Sequence, residues 1–321
     1  MKNLTFFLLL NVLLAFSVLA NAQDGDDDDD DAPRPAKPSA VEVQPGPAGT
    51  RFACPSEKDF TEPRKIGAYT LRLLPLKKEG GAKQQGEDFR CRAVLTSSGG
   101  KEITIAEDWA LSVDSISGGD LNADGTPDII LDGYTGGAQC CYTYVFVSLG
   151  PTPQVIRALH NRFPLTFERQ GDGSTRIDAK EGVFDYFLVP HQQAVIPQLV
   201  LQMEGSKLQD VSARFAEIYD KQIEDARSQL IPADLEKFRK SNYGDRLFMD
   251  QVSTVRPVLT IVLNYLYSGR EEKAWQALNE LWPASDVARV KSLILERRAR
   301  GLFAQAVNDA PKPIEQAASP H

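Results

Sequence analysis

"DLNADGTPDIILDGYTGGAQCC", residues 120–141, sets oxygen-bearing side chains at Asp120, Asn122, Asp124 and Asp128, with Gly125 among them and two adjacent cysteines at the end. Counting Asp120 as position 1, the side-chain oxygens fall at 1, 3, 5 and 9, glycine at 6 and the Thr126 carbonyl at 7. A chain that winds around a hard cation needs this spacing: alternate side chains point inward, glycine allows the reversal and a main-chain oxygen fills position 7. The competing reading is an Asx-rich turn, because these residues also satisfy turns through their own side chains. Position 12, where an EF-hand carries a bidentate glutamate, is Leu131, and the apolar run Ile129–Leu131 reads as a strand.

The stretch from Gly119 to Leu131 resembles the Asp-x-Asn-x-Asp-Gly-x-x-Asp loop of FG-GAP and VCBS-type repeats, in which the loop leads into a β-strand of a blade. The resemblance implies a structural Ca2+ held by Asp120, Asn122, Asp124, Thr126 and Asp128. The Phe-Gly and Gly-Ala-Pro signatures of integrin-type repeats are missing, so integrin-like ligand binding does not carry over. Asp172-Gly173 follows Asp124-Gly125 at a blade-like interval, but Glu168, Gln170 and Arg176 around it make a poor cation shell. At most one loop is charged for calcium.

Working outward, the pattern from Tyr69 to Met203 has period two. Tyr69, Leu71 and Leu73 alternate with polar residues, as do Phe89, Cys91, Ala93 and Leu95, and "PDIIL", "CYTYVFVSL", "VFDYFLV" and "AVIPQLVLQM" are rich in β-branched and aromatic residues. Residues 51–206 are therefore expected to form an antiparallel β domain. A full propeller needs seven blades of about 40–50 residues each, so partial propeller-like blades or a sandwich is expected.

After "MEGSKLQD" the period becomes helical: Val211, Phe215 and Ile218, then Tyr219, Ile223, Ala226 and Leu230 share one face. Pro232 starts a short helix, "RPVLTIVLNYLY" and "REEKAWQALNELW" flank a Ser268-Gly269 turn, and Ser285 is placed to cap a last helix from Asp286 to Arg300, ended by Gly301. The stretch "LNYLYSGREEKAWQALNELWP" is similar to one tetratricopeptide-type helical pair, but no second copy is visible and stacked repeats need about three. Trp275, Leu278 and Trp282 read as core residues. The expected class is α+β, with residues 207–310 an all-α C-terminal bundle and 311–321 a tail.

The opening "MKNLTFFLLLNVLLAFSVLANA" carries one early cation, an apolar run too short to span a bilayer and a small-x-small end. Residues 1–22 read as a signal peptide cleaved after Ala22, which makes the chain secreted or periplasmic with no membrane span. Residues 23–50 hold Asp24 and Asp26–Asp31 and then many prolines, a disordered acidic tether. That run carries most of the acidic excess behind the net charge of −8, and the absence of a basic stripe excludes nucleic acid as a partner.

Export invites disulfides among Cys54, Cys91, Cys140 and Cys141, with three pairings possible. Adjacent α-carbons lie about 3.8 Å apart, below the usual bridged range of roughly 4.4–6.8 Å. A Cys140–Cys141 bridge would be strained, and both Cys54–Cys91 with a vicinal pair and the crossed pairings stay open.

Catalytic signatures are sparse. His160, His191 and His321 have no metalloprotease spacing, no nucleophile elbow occurs, and "GAKQQGED" at 81–88 puts Glu87-Asp88 where a phosphate loop needs cations and hydroxyls. Asp178, Glu181 and Asp185 are the one carboxylate group with a conceivable acid/base role, and a solvated hairpin is the plainer reading. The expected function is a calcium-binding, non-catalytic interaction protein of the cell envelope or exterior, with a protein or glycan ligand. The alternative is a secreted hydrolase with a structural calcium ion.

Overall fold

The computed structural model describes residues 52–54, 63–76, 90–137, 140–241 and 251–308. The expected signal peptide, acidic tether, 81–88 turn, His321 and C-terminal tail lie outside them, as does the Cys140 side chain. Among the described residues the chain is α+β, with three antiparallel sheets and six α-helices. The sheets close into neither a barrel nor a propeller.

Each sheet is a four-strand meander taken in chain order. The first comprises β2 (Arg64–Ile66), β3 (Tyr69–Pro75), β4 (Arg90–Ser97) and β5 (Glu102–Trp109). The second comprises β6 (Ser112–Val113), β7 (Asp128–Gly137), β8 (Cys140–Ser148) and β9 (Gln154–Asn161), with β1 (Phe52–Ala53) added beside β6. The third comprises β10 (Thr166–Arg169), β11 (Thr175–Lys180), β12 (Gln198–Glu204) and β13 (Lys207–Asp210).

The second sheet is buried on both faces, which explains why its strands read as nearly unbroken apolar runs. Ile129, Leu131 and Val147 join Leu71, Leu73, Ala93 and Leu95 of the first sheet in one core. The residues between them in sequence, Ile130, Tyr144 and Phe146, point the other way into a second core. There they meet Ile177, Leu199 and Leu201 of the third sheet. Period two thus assigns each strand residue to one of two cores.

The helices extend that second core. They are α1 (Ala216–Ser228), α2 (Pro232–Arg239), α3 (Val252–Tyr267), α4 (Glu271–Leu281), α5 (Val287–Arg298) and α6 (Leu302–Asn308). Tyr219 and Ile223 of α1, Val258 and Val262 of α3 and Leu278 of α4 belong to the same cluster as the third sheet. The α3–α4 turn is as expected: Gly269 has φ of 77°, and Arg270 N–H reaches the Tyr265 carbonyl. Leu278 and Trp282 are buried, and Trp282 packs edge-on against Phe238 with ring centres 5.0 Å apart. Trp275 is half-buried, under the Lys291 ammonium. No helix among the described residues is long and apolar enough to cross a membrane.

Three local expectations need correction. "VFDYFLV" is not a strand: residues 182–184 make a 3-10 turn, and Tyr186 (φ 56°) and Leu188 (φ 59°) reverse the backbone. Positive φ at two of its residues is incompatible with the extended backbone of a ladder, and the buried Asp185 side chain turns to Arg162 and His191. "AVIPQLVLQM" becomes a strand only from Gln198, past the donor-less Pro197. Helix α5 begins at Val287, and no side chain caps its N-terminus. Asp286, the residue before it, instead accepts from Trp282 Nε1 (3.0 Å) and Arg289. That helix stops at Arg298, shortly before Gly301, but it is not the last, since α6 follows Gly301 directly.

Cys54 and Cys91 form a disulfide with α-carbons 6.4 Å apart. Cys54 follows β1 and Cys91 lies in β4, so the bridge ties the second sheet to the first. The bridged residues are 37 apart in sequence, and a loop of that size contributes about 4 kcal/mol through the unfolded chain. Cys54→Ser with Cys91→Ser is expected to lower unfolding free energy by up to about 4 kcal/mol in urea titration, with the fold's circular dichroism retained.

Candidate functional site

The loop before β7 is built largely from its own side chains. Asp120 accepts from the backbone N–H groups of Asn122 (3.3 Å), Asp124 (3.2 Å) and Gly125 (2.8 Å). Asn122 Oδ1 accepts from Asp124 N–H, Asn122 Nδ2 donates to Asp124 Oδ2 at 2.9 Å, and Asp124 Oδ1 accepts from Thr126 N–H at 2.8 Å. Ala123 (φ 61°) and Gly125 (φ 82°) supply the reversals. Among residues of this kind glycine takes that conformation at least cost.

Asp128, at the start of β7, is fully buried. Its Oδ2 accepts from Leu121 N–H at 2.8 Å, while Oδ1 is buried without a hydrogen-bond partner. Ser148, directly opposite Asp128 in the β7–β8 ladder, moderates the charge but places its own 3.5 Å hydrogen bond on Asp124 Oδ2. Burial pushes the Asp128 carboxyl up to about 6, and the charges of Asp124 and Asp120 add to the rise. Asp124 moves the other way: burial opposes ionisation, but hydrogen bonds from Thr126, Asn122 and Ser148 outweigh it and hold the carboxyl below its ordinary value.

The loop also joins all three sheets. Leu149 N–H donates to the Pro127 carbonyl (2.8 Å), and a β-carbon at Gly67, in the β2–β3 turn, would lie 3.4 Å from the Pro127 ring. From the third sheet, Arg169 donates to the Asp120 carbonyl (2.8 Å), and Gly205 N–H, in the β12–β13 turn, donates to the Asn122 carbonyl (2.9 Å). Among the described residues no group of three or more His, Cys, Asp or Glu side chains is gathered tightly enough to hold a metal ion. The turn at Asp172-Gly173 closes on itself, with Asp172 accepting from the Ser174 N–H and hydroxyl.

The residues Asp178, Glu181 and Asp185 do not converge on one bond. Asp178 pairs with Arg176 at 2.9 Å. Glu181, buried, accepts from the N–H groups of Leu302 (2.8 Å) and Phe303 (2.9 Å) and from the Tyr267 hydroxyl (3.2 Å), tying the third sheet to α6. Burial raises its pKa against those bonds and the Arg298 charge. A β-carbon at Gly301 would lie 2.5 Å from Glu181 Oε1, so the contact requires glycine there. Asp185 holds Arg162 Nε at 2.5 Å and His191 Nδ1 at 2.7 Å. His191 stacks on the exposed Tyr186 ring at 5.3 Å.

Cys141 is disulfide-bonded. His160 N–H and C=O both bond the Gln305 side chain of α6, so this histidine supports the β9 edge through its backbone. Ser148, Arg169 and Gly205 around the loop, and the Asp185–Arg162–His191 cluster, escaped sequence reading. None of them had a usable local signal: a bulge between Tyr134 and Gly137 shifts the β7–β8 register, so counting back from the hairpin would set Leu149 rather than Ser148 opposite Asp128.

Comparison with protein-family models, with curated proteins and with solved structures gives no match.

Two measurements bear on these carboxylates. Asp128 binds its proton more tightly folded than unfolded, so in EDTA its own contribution to stability is fully present below pH of about 4 and is lost as pH rises through about 6, while Asp124 contributes with the opposite sign. Glu181 acts with the same sign. In urea titrations across pH 4–7, the stability of wild type relative to Asp128→Asn is expected to fall as pH rises through about 6. Glu181→Ala, which strands two helix N–H groups, is expected to lose about 2–4 kcal/mol in the same assay.

Proposed function

We propose that this chain is an exported, calcium-stabilised interaction protein of the cell envelope or exterior, without catalytic activity. In this reading the three meanders form an open stack of blades, and the helices form a bundle packed on the third. The Cys54–Cys91 bridge supports the exported setting, because such bonds persist in oxidising compartments. Its ligand is a protein or glycan met by loops on a rigid scaffold.

The observation that carries the calcium reading is Asp128: a buried carboxylate with an unpaired oxygen, beside two further carboxylates. An uncompensated buried charge is costly, and a divalent cation supplies both the missing charge and the missing partner. Asp120, Asn122, Asp124, the Thr126 main chain and Asp128 would hold the ion, which serves here to rigidify the loop. With three carboxylates and no twelfth-position glutamate the affinity falls at roughly 0.1–1 mM, as in extracellular modules. At 10 mM calcium that affinity stabilises by about 1.4–2.7 kcal/mol, a rise of about 3–10 °C in Tm. Differential scanning calorimetry is expected to show this rise over EDTA, and Asp124→Ala to abolish it. Equal transitions in EDTA and calcium would contradict the reading.

A second reading, a hydrolase with a structural ion, is favoured by one observation. Asp185 orients His191 through Nδ1, and His191 Nε2 meets no hydrogen-bond partner among the described residues, as in a general base awaiting substrate. Turnover on an ester and glycoside panel that is lost in His191→Ala, with the calcium response retained, would establish it.

A further inference from the structure

A cleft of about 290 Å3 opens between β5 and the face of the second sheet that looks toward the first. The ladder registers give its layout. Gly133, Thr143 and His160 stand in one row across β7, β8 and β9, and Leu131, Val145 and Ala158 in the next. Directly opposed residues share a face, so an apolar floor of Leu131, Val145 and Ala158 ends at a polar row. Thr143 in that row has its hydroxyl 3.4 Å from His160 Nδ1.

The wall above the polar row is Asp108. Its Oδ1 accepts from Trp109 N–H at 2.7 Å, and its Oδ2 would lie 2.5 Å from a β-carbon at Gly133. Glycine inside a strand marks a place where another group must approach closely, and here the absent side chain lets a carboxylate enter an apolar cleft. Glu107 also lines the cleft, but Arg92 stands opposite it in the β4–β5 ladder. Asp108 stands opposite Cys91, forms no ion pair among the described residues, and no lysine or arginine lines the cleft.

We propose that this cleft receives a lysine side chain of a partner protein, its aliphatic stem on the Leu131–Val145–Ala158 floor and its ammonium on Asp108, with Thr143 as a further acceptor. The complementarity is of charge and of shape: a net negative end, an apolar floor and a volume suited to a short stem. This deepens the interaction reading by naming the chemistry of the partner. It is separable from the calcium claim, because Asp108 takes no part in the 120–128 loop.

The test uses full-length protein and 15N NMR titration with Nα-acetyl-lysine methylamide and its uncharged counterpart Nα-acetyl-norleucine methylamide. The expected result is shifts at Gly133, Thr143 and Ala158 and at least ten-fold tighter binding of the lysine compound, lost in the near-isosteric Asp108→Asn. Gly133→Ala, which displaces Asp108, is expected to lose it too, and Asp108→Asn keeps the test valid should that variant not fold. A lysine-centred pentapeptide is expected to bind more tightly than n-butylamine. Equal binding of the norleucine compound, an unchanged Asp108→Asn, or n-butylamine matching the peptide would each overturn the proposal. Throughout, Asp108→Asn is expected to keep the wild-type calcium shift in Tm, so failure of one claim is distinguishable from failure of the other.

Discussion

The structure depends on one constraint: the peptide groups of the polar loop between Gly118 and Asp128 must find partners where three sheets meet. Buried peptide groups have to be paired, and here their partners come from different sheets. Gly118 N–H bonds the Asp128 carbonyl and Asp128 N–H the Gly119 carbonyl, closing the loop at its base. Arg169, Gly205 and Leu149 then fill carbonyls of Asp120, Asn122 and Pro127. Leu121, buried at the loop's centre, anchors it in the larger core. The loop is thus a joint, and its stiffness governs how the three meanders hold together.

The joint explains the distribution of polar groups. Asp128 is buried because it begins a strand whose two faces feed two cores, so its carboxyl is carried inside with them. The same rule holds at Glu181, where a buried carboxylate satisfies the start of α6 and joins the third sheet to the last helix. In the second case the protein supplies every partner. In the first it leaves one oxygen unpaired, and that difference separates a structural carboxylate from a candidate ligand.

Local pattern made much of this legible. Period two over Tyr69–Leu73 and Cys91–Leu95, the helical face through Tyr219, Ile223 and Ala226, and the Ser268-Gly269 turn all follow from residues close in sequence. The internal bonds of the 120–128 loop are local for the same reason. What stayed hidden is non-local. "VFDYFLV" has strand composition, but Tyr186 and Leu188 reverse the backbone and Asp185 is claimed by Arg162 and His191, so tertiary context overrode propensity. Likewise Arg169 and Gly205 reach the loop from another sheet, and parity alone could not choose Cys54–Cys91.

Native-state hydrogen exchange of the amides of Gly118, Leu121, Leu149 and Gly205 tests the central claim most directly. All four donate into or within the joint, so if the joint holds the sheets together they exchange only through global unfolding, with one common free energy that calcium raises equally. Exchange of Gly205 or Leu149 at a much lower free energy than the β7 and β8 amides would show the sheets parting independently of the loop, and would contradict the account.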